Sequence, residues 1–270
     1  MDRVLDDIEF LARSANRVDV LRLVADRTYT RAELAEATDA SQPTLGRILR
    51  DFEQRQWIRH HSKGYSATAT GRLVAEGLDE LFGSLETEHT LRELVEWLPT
   101  DALDFDLRRL QDATVTVPTQ TRPGAPVSRV IDLIRDADSV FVLSHAFNDR
   151  TLAAVADWVA AGGSFEGVFS VDAITPVTDD DALARQLRRL AEHERASLFL
   201  YDGAVPLAVT LTDDVLSLLL RDEAGRLQAA LDTNDPVVHE WAESVYTEYR
   251  EESRPLDCEQ LDDEPQTDLQ

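Results

Sequence analysis

Residues 33–58 read ELAEATDASQPTLGRILRDFEQRQWI, and their spacing predicts two short helices joined by a three-residue turn. Thr30 stands three residues before Glu33, which is the spacing of a capping box at the start of the first helix. Ser41 is placed to cap the second helix. The turn between them requires a residue that tolerates a left-handed conformation, and Asp39 is expected to fill that role.

The second of these helices has two chemically different faces. At 100° per residue, four apolar side chains fall on one face: Leu45, Ile48, Leu49 and Phe52. The opposite face carries guanidinium and amide groups, which are suited to phosphate and base-edge contacts. The candidate nucleic-acid contacts on this helix and at its start are Ser41, Gln42, Thr44, Arg47, Arg50 and Gln54.

A strand, a turn and a second strand are predicted directly after this helix, over residues 56–71. Ser62 to Gly64 supply the turn chemistry. Four further candidate contacts lie here: Arg59, His61, Lys63 and Tyr65. The adjacent His60 and His61 point to opposite faces of a strand, so they are expected to belong to the hairpin surface and not to a metal site.

Charge is distributed unevenly along the chain. The 27 basic and 52 acidic residues give a formal charge of −25, and Lys63 is the single lysine. Residues 1–80 contribute only −2 of this charge, and residues 41–72 are locally +4, as expected for a nucleic-acid-binding face. Acidity with almost no lysine resembles proteins of salt-accumulating haloarchaeal cytoplasm; a generic acidic protein at ordinary salt is the alternative. Concentrated salt screens the self-repulsion that such a charge creates.

Beyond residue 99 the sequence pattern changes. A proline-broken stretch to residue 126 is followed by alternating helices and strands, including the apolar runs 139–144, 165–170 and 196–202. The fold class expected is an all-α-rich N-terminal winged helix-turn-helix domain followed by a three-layer-like α/β effector domain. The expected divisions are a DNA-binding domain (1–85), a helical linker and candidate dimer interface (86–114), the effector domain (115–255) and an acidic disordered tail (256–270). Helices over residues 70–83, capped by Thr70, and 88–98 are the dimer-interface candidates.

The composition limits which cellular compartment and which cysteine-based sites are expected. Cys258 is the only cysteine, so neither an internal disulfide nor a cysteine-based zinc cluster is expected. The sequence has no run of 18 apolar residues and no apolar segment near Met1. We therefore expect a cytoplasmic protein with no membrane partner.

Residues 1–85 resemble the winged helix-turn-helix of bacterial and archaeal repressors, in which the second helix reads DNA and the hairpin is the wing. Asp39 and Ala40 depart from the glycine and aliphatic residue usual in that turn. Residues 115–255 resemble the middle domain of FilR-type methanogenesis regulators, through the three apolar strands, FLYDGAVPLAVTLTDDVLSLLLRDEAGRLQAAL and DPVVHEWAESVYTEYREES. The resemblance implies a homodimeric transcription regulator whose partner is double-stranded DNA, with half-sites about one helical turn apart. A winged-helix protein-docking scaffold that does not bind DNA is the alternative.

The second half offers few signs of catalysis. A phospholipase-D-like His-x-Lys motif starting at His145 would need lysine where Phe147 stands, and no nucleophile elbow or glycine-rich phosphate loop is found. We therefore expect no enzyme, no cofactor and no metal site. His145, Asn148 and Asp202 are candidate ligand contacts, because open α/β sheets bind ligands at strand ends. A small-molecule sensor and a purely structural dimerisation domain both remain open.

Overall fold

A computed structural model describes residues 2–147, 149–178, 180–222 and 224–257, and it divides into two compact units, Met1–Leu85 and Glu86–Gln270. The chain is mixed α and β, with a helical N-terminal region followed by a large mixed sheet. Residues 258–270 of the predicted tail (256–270), with Cys258, lie outside the described residues. Leu256 corrects the start of that tail, because its N–H donates to the Leu198 carbonyl oxygen at 2.8 Å and its side chain packs against the core. No helix within the described ranges combines the length and apolarity needed to cross a bilayer.

The first unit is built from helices and one hairpin. The helices are α1 (Asp2–Ala12), α2 (Ala15–Asp26), α3 (Arg31–Ala37), α4 (Gln42–Gln54) and α5 (Ala69–Leu91), and the strands are β1 (Ile58–His61) and β2 (Gly64–Ala67). Apolar side chains from every one of these elements form a single core around Leu21, Leu34 and Phe52. The apolar periodicity of the sequence therefore predicts these elements to within a few residues.

Helix α5 corrects the prediction of two separate helices at 70–83 and 88–98. One continuous helix runs from Ala69 to Leu91, and residues 92–97 continue as turns. No proline interrupts it, and Gly77 and Gly83 are accommodated inside it. Its N-cap is Thr68 and not Thr70, because the Thr68 hydroxyl accepts a hydrogen bond from the Gly71 N–H at 3.0 Å.

The second unit contains an eight-stranded mixed sheet in the order β10-β6-β5-β4-β7-β8-β9-β3. The strands are β3 (Thr114–Thr116), β4 (Ser139–Ser144), β5 (Ser164–Ser170), β6 (Ala196–Tyr201), β7 (Ala208–Leu211), β8 (Leu216–Arg221), β9 (Leu227–Thr233) and β10 (Arg254–Pro255). β4, β5 and β6 are parallel, and the remaining pairs are antiparallel. The three apolar runs are confirmed as the parallel strands, whereas β3 and β10, which are short edge strands, carry no predictive pattern.

Helices pack on both faces of this sheet. They are α6 (Ala125–Asp136), α7 (Asp149–Ala160), α8 (Val171–Thr178), α9 (Asp181–Ala191) and α10 (Pro236–Glu251). α6 to α9 share a core with one set of alternating strand residues, and α10 packs with the other set, as in Val142 and Leu143 of β4. Helix α8 carries Pro176 in its interior, so its sequence does not show a simple helical pattern. The carboxyl ends of the three parallel strands lie at one edge of the sheet, followed by residues such as His145.

Candidate nucleic-acid interface and ligand cavity

The start of α4 is fixed by side-chain caps on both sides of the turn. Thr30 and Glu33 form the predicted capping box, and the Ser41 hydroxyl accepts a hydrogen bond from the Thr44 N–H at 3.4 Å. The predicted left-handed Asp39 is wrong: among described non-glycine residues a positive φ is found at Gln56 alone. Thr38 is extended instead, so this turn needs no glycine.

The two faces of α4 are as its sequence predicts. Leu45, Ile48, Leu49 and Phe52 are each at most 2% exposed. Arg47, Arg50 and Gln54 are exposed on the other side, as are Ser41 and Gln42 at the start, while Thr44 is half-buried. The burial of the apolar face fixes the rotation of the helix, and this rotation presents the two guanidinium groups to solvent together.

Four cations on α4 and the hairpin are left without an ionic partner. Arg47, Arg50, Arg59 and Lys63 are exposed and form no ion pair with any described carboxylate. Other arginines of the same unit do find one: Arg22 pairs with Asp79, and Arg55 with Asp7. Five of the six cations in the 41–72 segment have no ion pair with a described carboxylate; four of them lie on α4 and the hairpin, and the fifth is Arg72 on α5.

The hairpin separates its candidate residues onto two faces. Arg59 and His61 share the outer face, where the His61 Nε2 lies 3.3 Å from the Ser66 hydroxyl. Lys63 occupies the turn. Tyr65 points to the opposite face with His60, their ring centroids 4.6 Å apart. The structure thus groups Arg59, His61 and Lys63 but not Tyr65, and it shows no cluster of three metal-ligand side chains among described residues.

Tyr29 forms a third, one-residue strand beside β2. Two backbone hydrogen bonds join Tyr29 and Tyr65, at 2.9 and 2.7 Å. Gly64 makes this approach possible, since its φ is 126° and an added Cβ would lie 2.2 Å from the Tyr29 carbonyl oxygen. The Tyr29–Tyr65 bonds and the close approach at Gly64 therefore fix the position of strand β2 in the hairpin.

Sequence reasoning missed one basic residue beside α4. The Arg31 guanidinium donates a hydrogen bond to the Gln42 carbonyl oxygen at 2.8 Å and lies in the space left by Gly46. A Cβ at Gly46 would approach the Arg31 Nη2 to 2.9 Å. The signal available in the sequence is Gly46 itself, a small residue one turn after Gln42 in an otherwise large-residue helix.

In the second unit, the three candidate ligand contacts do not meet. His145 follows β4 and lines two cavities of about 270 and 210 Å³. Asp202 belongs to neither cavity; it is 76% exposed and pairs with Arg254 at 3.7 Å. Asn148 lies outside the described residues.

Arg221, at the end of β8, is a cavity residue that sequence reasoning missed. It lines the 270 Å³ cavity together with His145 and Trp97. Burial lowers the pKa of the His145 imidazole, and the Arg221 charge lowers it further, while a hydrogen bond with the Leu207 backbone acts in the opposite direction. Burial also lowers the pKa of the Arg221 guanidinium.

Comparisons with known proteins give two family matches and several distant structural likenesses. The HVO_A0261 N-terminal domain matches residues 5–90, and the middle domain of the methanogenesis regulatory protein FilR1 matches residues 123–252. A search of curated proteins finds no match.

Three solved structures similar to this chain are remote from it in sequence. The archaeal chromatin protein TrmBL2, reported to show a novel mode of DNA binding, is 13% identical with a TM-score of 0.42, over 92% of this chain and 98% of that one. The phospholipase D family member Nuc from Salmonella typhimurium is 15% identical with a TM-score of 0.44, over 53% of this chain and 98% of that one. NucT from Helicobacter pylori is 15% identical with a TM-score of 0.41, over the same shares.

These likenesses are too distant to assign a function, so the two domain matches are the informative comparison. Those matches together occupy most of the chain and agree with the resemblance read from the sequence. The chain therefore carries a domain of the HVO_A0261 N-terminal type followed by a domain of the FilR1 middle type.

Proposed function

We propose that this chain is a sequence-specific transcription regulator that binds double-stranded DNA through a winged helix-turn-helix in residues 2–85. The observation that carries the proposal is the exposed face of α4, where Arg47 and Arg50 have no described carboxylate partner. An α-helix fits the major groove of B-DNA, and arginine there can donate two hydrogen bonds to a guanine edge. Arg47, Arg50 and Gln54 are assigned to base edges and nearby phosphates.

The start of α4 and the hairpin are assigned to the DNA backbone. Ser41, Gln42 and Thr44 surround the N-terminus of α4, where backbone N–H groups attract phosphate. Arg31, held on the Gln42 carbonyl, adds a cation at this end. Arg59, His61 and Lys63 form the outer surface and tip of the wing. Tyr65, which faces the other way, is assigned to holding the wing on the Tyr29 strand and not to DNA.

The local charge supports this assignment despite the acidity of the chain. Only −2 of the −25 formal charge falls within residues 1–80. In concentrated salt the Debye length shrinks to about 3 Å, so remote acidic residues repel DNA weakly. The free arginines act at contact distance, where screening is small.

We also propose that the protein acts as a homodimer. Helix α5 exposes Leu73, Leu81 and Leu85, the first of these 68% exposed, on one face at multiples of four residues. A second copy of the chain would bury this stripe and place two α4 helices on half-sites about one helical turn apart. Light scattering on Leu81→Glu with Leu85→Glu should then give the monomer mass where the natural chain gives the dimer mass. A natural chain that is monomeric at all concentrations excludes the proposal.

For the second unit we propose ligand sensing in the cytoplasm and not catalysis. The support is the pair of cavities beside His145, at the strand ends where open α/β sheets receive ligands. A purely structural role is the alternative. Thermal unfolding measured with and without candidate metabolites discriminates them, since a ligand that binds the native state raises the unfolding temperature.

The DNA-binding assignment is tested with Arg47→Ala combined with Arg50→Ala. A binding site is first selected from a random duplex library with the natural protein, and both proteins are then footprinted on it. We expect the double variant to lose specific protection while unfolding at the natural temperature, because neither side chain is buried. The matched control is Arg92→Ala with Arg135→Ala, which removes the same charge from two exposed surface ion pairs in the second unit.

A protein-docking role is favoured by one observation only, the exposed Val4, Leu5 and Ile8 on α1. The same footprinting separates the two functions. If the Arg47 and Arg50 variant protects the selected site as well as the control does, α4 is not a DNA-reading helix.

A further inference from the structure

We propose that the cavity of about 270 Å³ between the ends of β4 and β8 binds a small organic anion through Arg221 and His145. This rests on the proposed sensing role of the second unit and names the class of ligand. Every ligand of this class would carry an anionic head group, either a carboxylate or a phosphate, on a compact apolar body.

The order of the strands brings these two residues together from positions 76 apart in the chain. In the register, Leu143 of β4 pairs with Val209 of β7, and Ala208 pairs with Leu219 of β8. The segment before β7 therefore lies between the residues that end β4 and β8. The β8–β9 register shifts at the end of β8: Leu220 pairs with Ala229, but Arg221 pairs with Leu227, so Gln228 of β9 has no paired residue. Regular pairing is therefore interrupted beside Arg221.

Both residues have buried polar atoms with no protein partner. The Arg221 Nε and the His145 Nδ1 are shielded from solvent and form no hydrogen bond within the described residues. Arg221 Nη1 donates to the Gly225 carbonyl oxygen at 2.8 Å, and no described carboxylate forms an ion pair with Arg221. A buried donor left unpaired is costly, and an anion accepting from a guanidinium forms one of the stronger hydrogen bonds.

The carboxylate of Asp222, the next residue in the chain, forms its hydrogen bonds elsewhere. Asp222 lines the same cavity, but its Oδ1 accepts from the N–H groups of Ala224 and Arg226, at 3.0 and 2.9 Å. Its Oδ2 accepts from the Arg226 guanidinium and the Gln228 amide, at 2.9 and 2.8 Å. These bonds lower the pKa of the Asp222 carboxyl and hold it in the turn after β8. The Arg221 guanidinium therefore lines the cavity without any described carboxylate bound to it.

The cavity on the other side of His145 has the opposite character. Asp149 and Asp172 line the 210 Å³ cavity, which makes it unfavourable for an anion. The walls of the 270 Å³ cavity are mainly apolar, with Trp97, Pro99 and Leu218 among them. Its volume equals that of about nine liquid waters, so a ligand about the size of a substituted benzoate would fill it.

Calorimetric titration of the full chain tests the proposal with three probes of one shape. Benzoate carries a carboxylate, phenyl phosphate carries a phosphate, and benzyl alcohol is neutral. We expect at least one anion to bind and benzyl alcohol to bind at least tenfold more weakly. The stronger of the two anions identifies the head group. Arg221→Gln should weaken the anion by about ten- to a hundredfold, the range for losing a charged hydrogen bond in a shielded site.

Arg189→Gln is the matched control, because Arg189 is an exposed arginine on α9 that does not line this cavity. His145→Gln is titrated beside Arg221→Gln, with thermal unfolding of each, so that a folding defect in one leaves the other informative. The proposal is overturned if neither anion binds, if benzyl alcohol binds as tightly, or if the folded variants bind like the natural protein. Anion binding with no footprint on DNA would refute the proposed regulator and leave the anion site standing; a footprint without anion binding would do the reverse.

Discussion

Substitution of the two wing cations, Arg59→Gln with Lys63→Gln, should change how the DNA affinity depends on salt. Both side chains are exposed and without a described ionic partner, so each is free to neutralise one phosphate. A dimer then loses four phosphate contacts. Because each contact contributes about 0.9 to the slope of log K against log salt, the slope should become shallower by about 3.6.

This slope fixes the loss of affinity at each salt concentration. Counterion release vanishes as a driving force near 1 M salt, so the natural and variant proteins should bind nearly equally there. At about 0.2 M KCl the variant should bind about 300-fold more weakly, because the slope change of about 3.6 multiplied by the logarithm of a fivefold dilution gives a difference of about 2.5 in log K. The assay is fluorescence anisotropy on the selected duplex, over a series of KCl concentrations.

The α4 variant, Arg47→Ala with Arg50→Ala, should behave differently in the same assay. A bidentate contact with a base edge contributes about 1–3 kcal/mol of discrimination through directed hydrogen bonds, which molar salt does not remove. Its loss of specific affinity should therefore persist at about 1 M KCl. If the wing variant keeps the natural slope, or if the α4 variant regains full specificity in concentrated salt, the division between backbone and base contacts is wrong.

Four further changes test the fold that supports these sites. Gly77→Ala should raise the free energy of unfolding by about 0.5–1 kcal/mol in a urea titration, since nothing lies within 4 Å of the added Cβ; a decrease would mean that a partner packs on Gly77. Gly64→Ala should lower it by at least about 1–2 kcal/mol, because the left-handed φ and the Tyr29 carbonyl both oppose a side chain; an unchanged value would contradict the wing geometry. Arg129→Leu should cost about 2–3 kcal/mol by leaving the buried Asp232 carboxylate without its 2.6 Å partner, and Asp232→Asn in the same chain should recover part of it; a neutral effect would show that the pair is solvated. Raising KCl from about 0.2 to about 2 M should raise the unfolding temperature by screening the −25 charge, and a fall would count against the halophilic interpretation.

Local periodicity was sufficient to predict most elements of this fold from the sequence. The buried face of α4 and the apolar strands β4, β5 and β6 follow from patterns that span fewer than 15 residues. The same logic fails at α5, where the sequence prediction divides one continuous helix into two. It also fails at Asp39, which does not take a left-handed conformation; the one described non-glycine residue with a positive φ is Gln56, after α4.

Some candidate site residues follow from local sequence spacing, whereas others depend on which strands pair in the sheet. The α4 residues could be named because one helix turn separates them, so their common face follows from sequence spacing alone. Arg221 could not be named, since its approach to His145 depends on β7 lying antiparallel between β4 and β8. The register shift beside Arg221 is likewise a property of pairing with β9. Asp202 follows a strand end too, but the order β6-β5-β4 places β5 between it and His145.

The choice of arginine over lysine connects the charge pattern to the proposed interface. With 52 acidic and 27 basic residues, the chain offers a surplus of carboxylates, yet Arg47, Arg50, Arg59 and Lys63 form no ion pair with any described one, which suits them to an anionic partner outside the chain. In concentrated salt a point charge such as the lysine ammonium gains little from a distant phosphate. A guanidinium instead donates from a planar fork, and its paired hydrogen bonds depend on contact geometry. A reading helix with Arg47 and Arg50 is therefore suited to specific binding where counterion release contributes little. The same reasoning assigns Lys63 to the wing, where a mobile ammonium on a flexible stem adds backbone affinity without reading sequence.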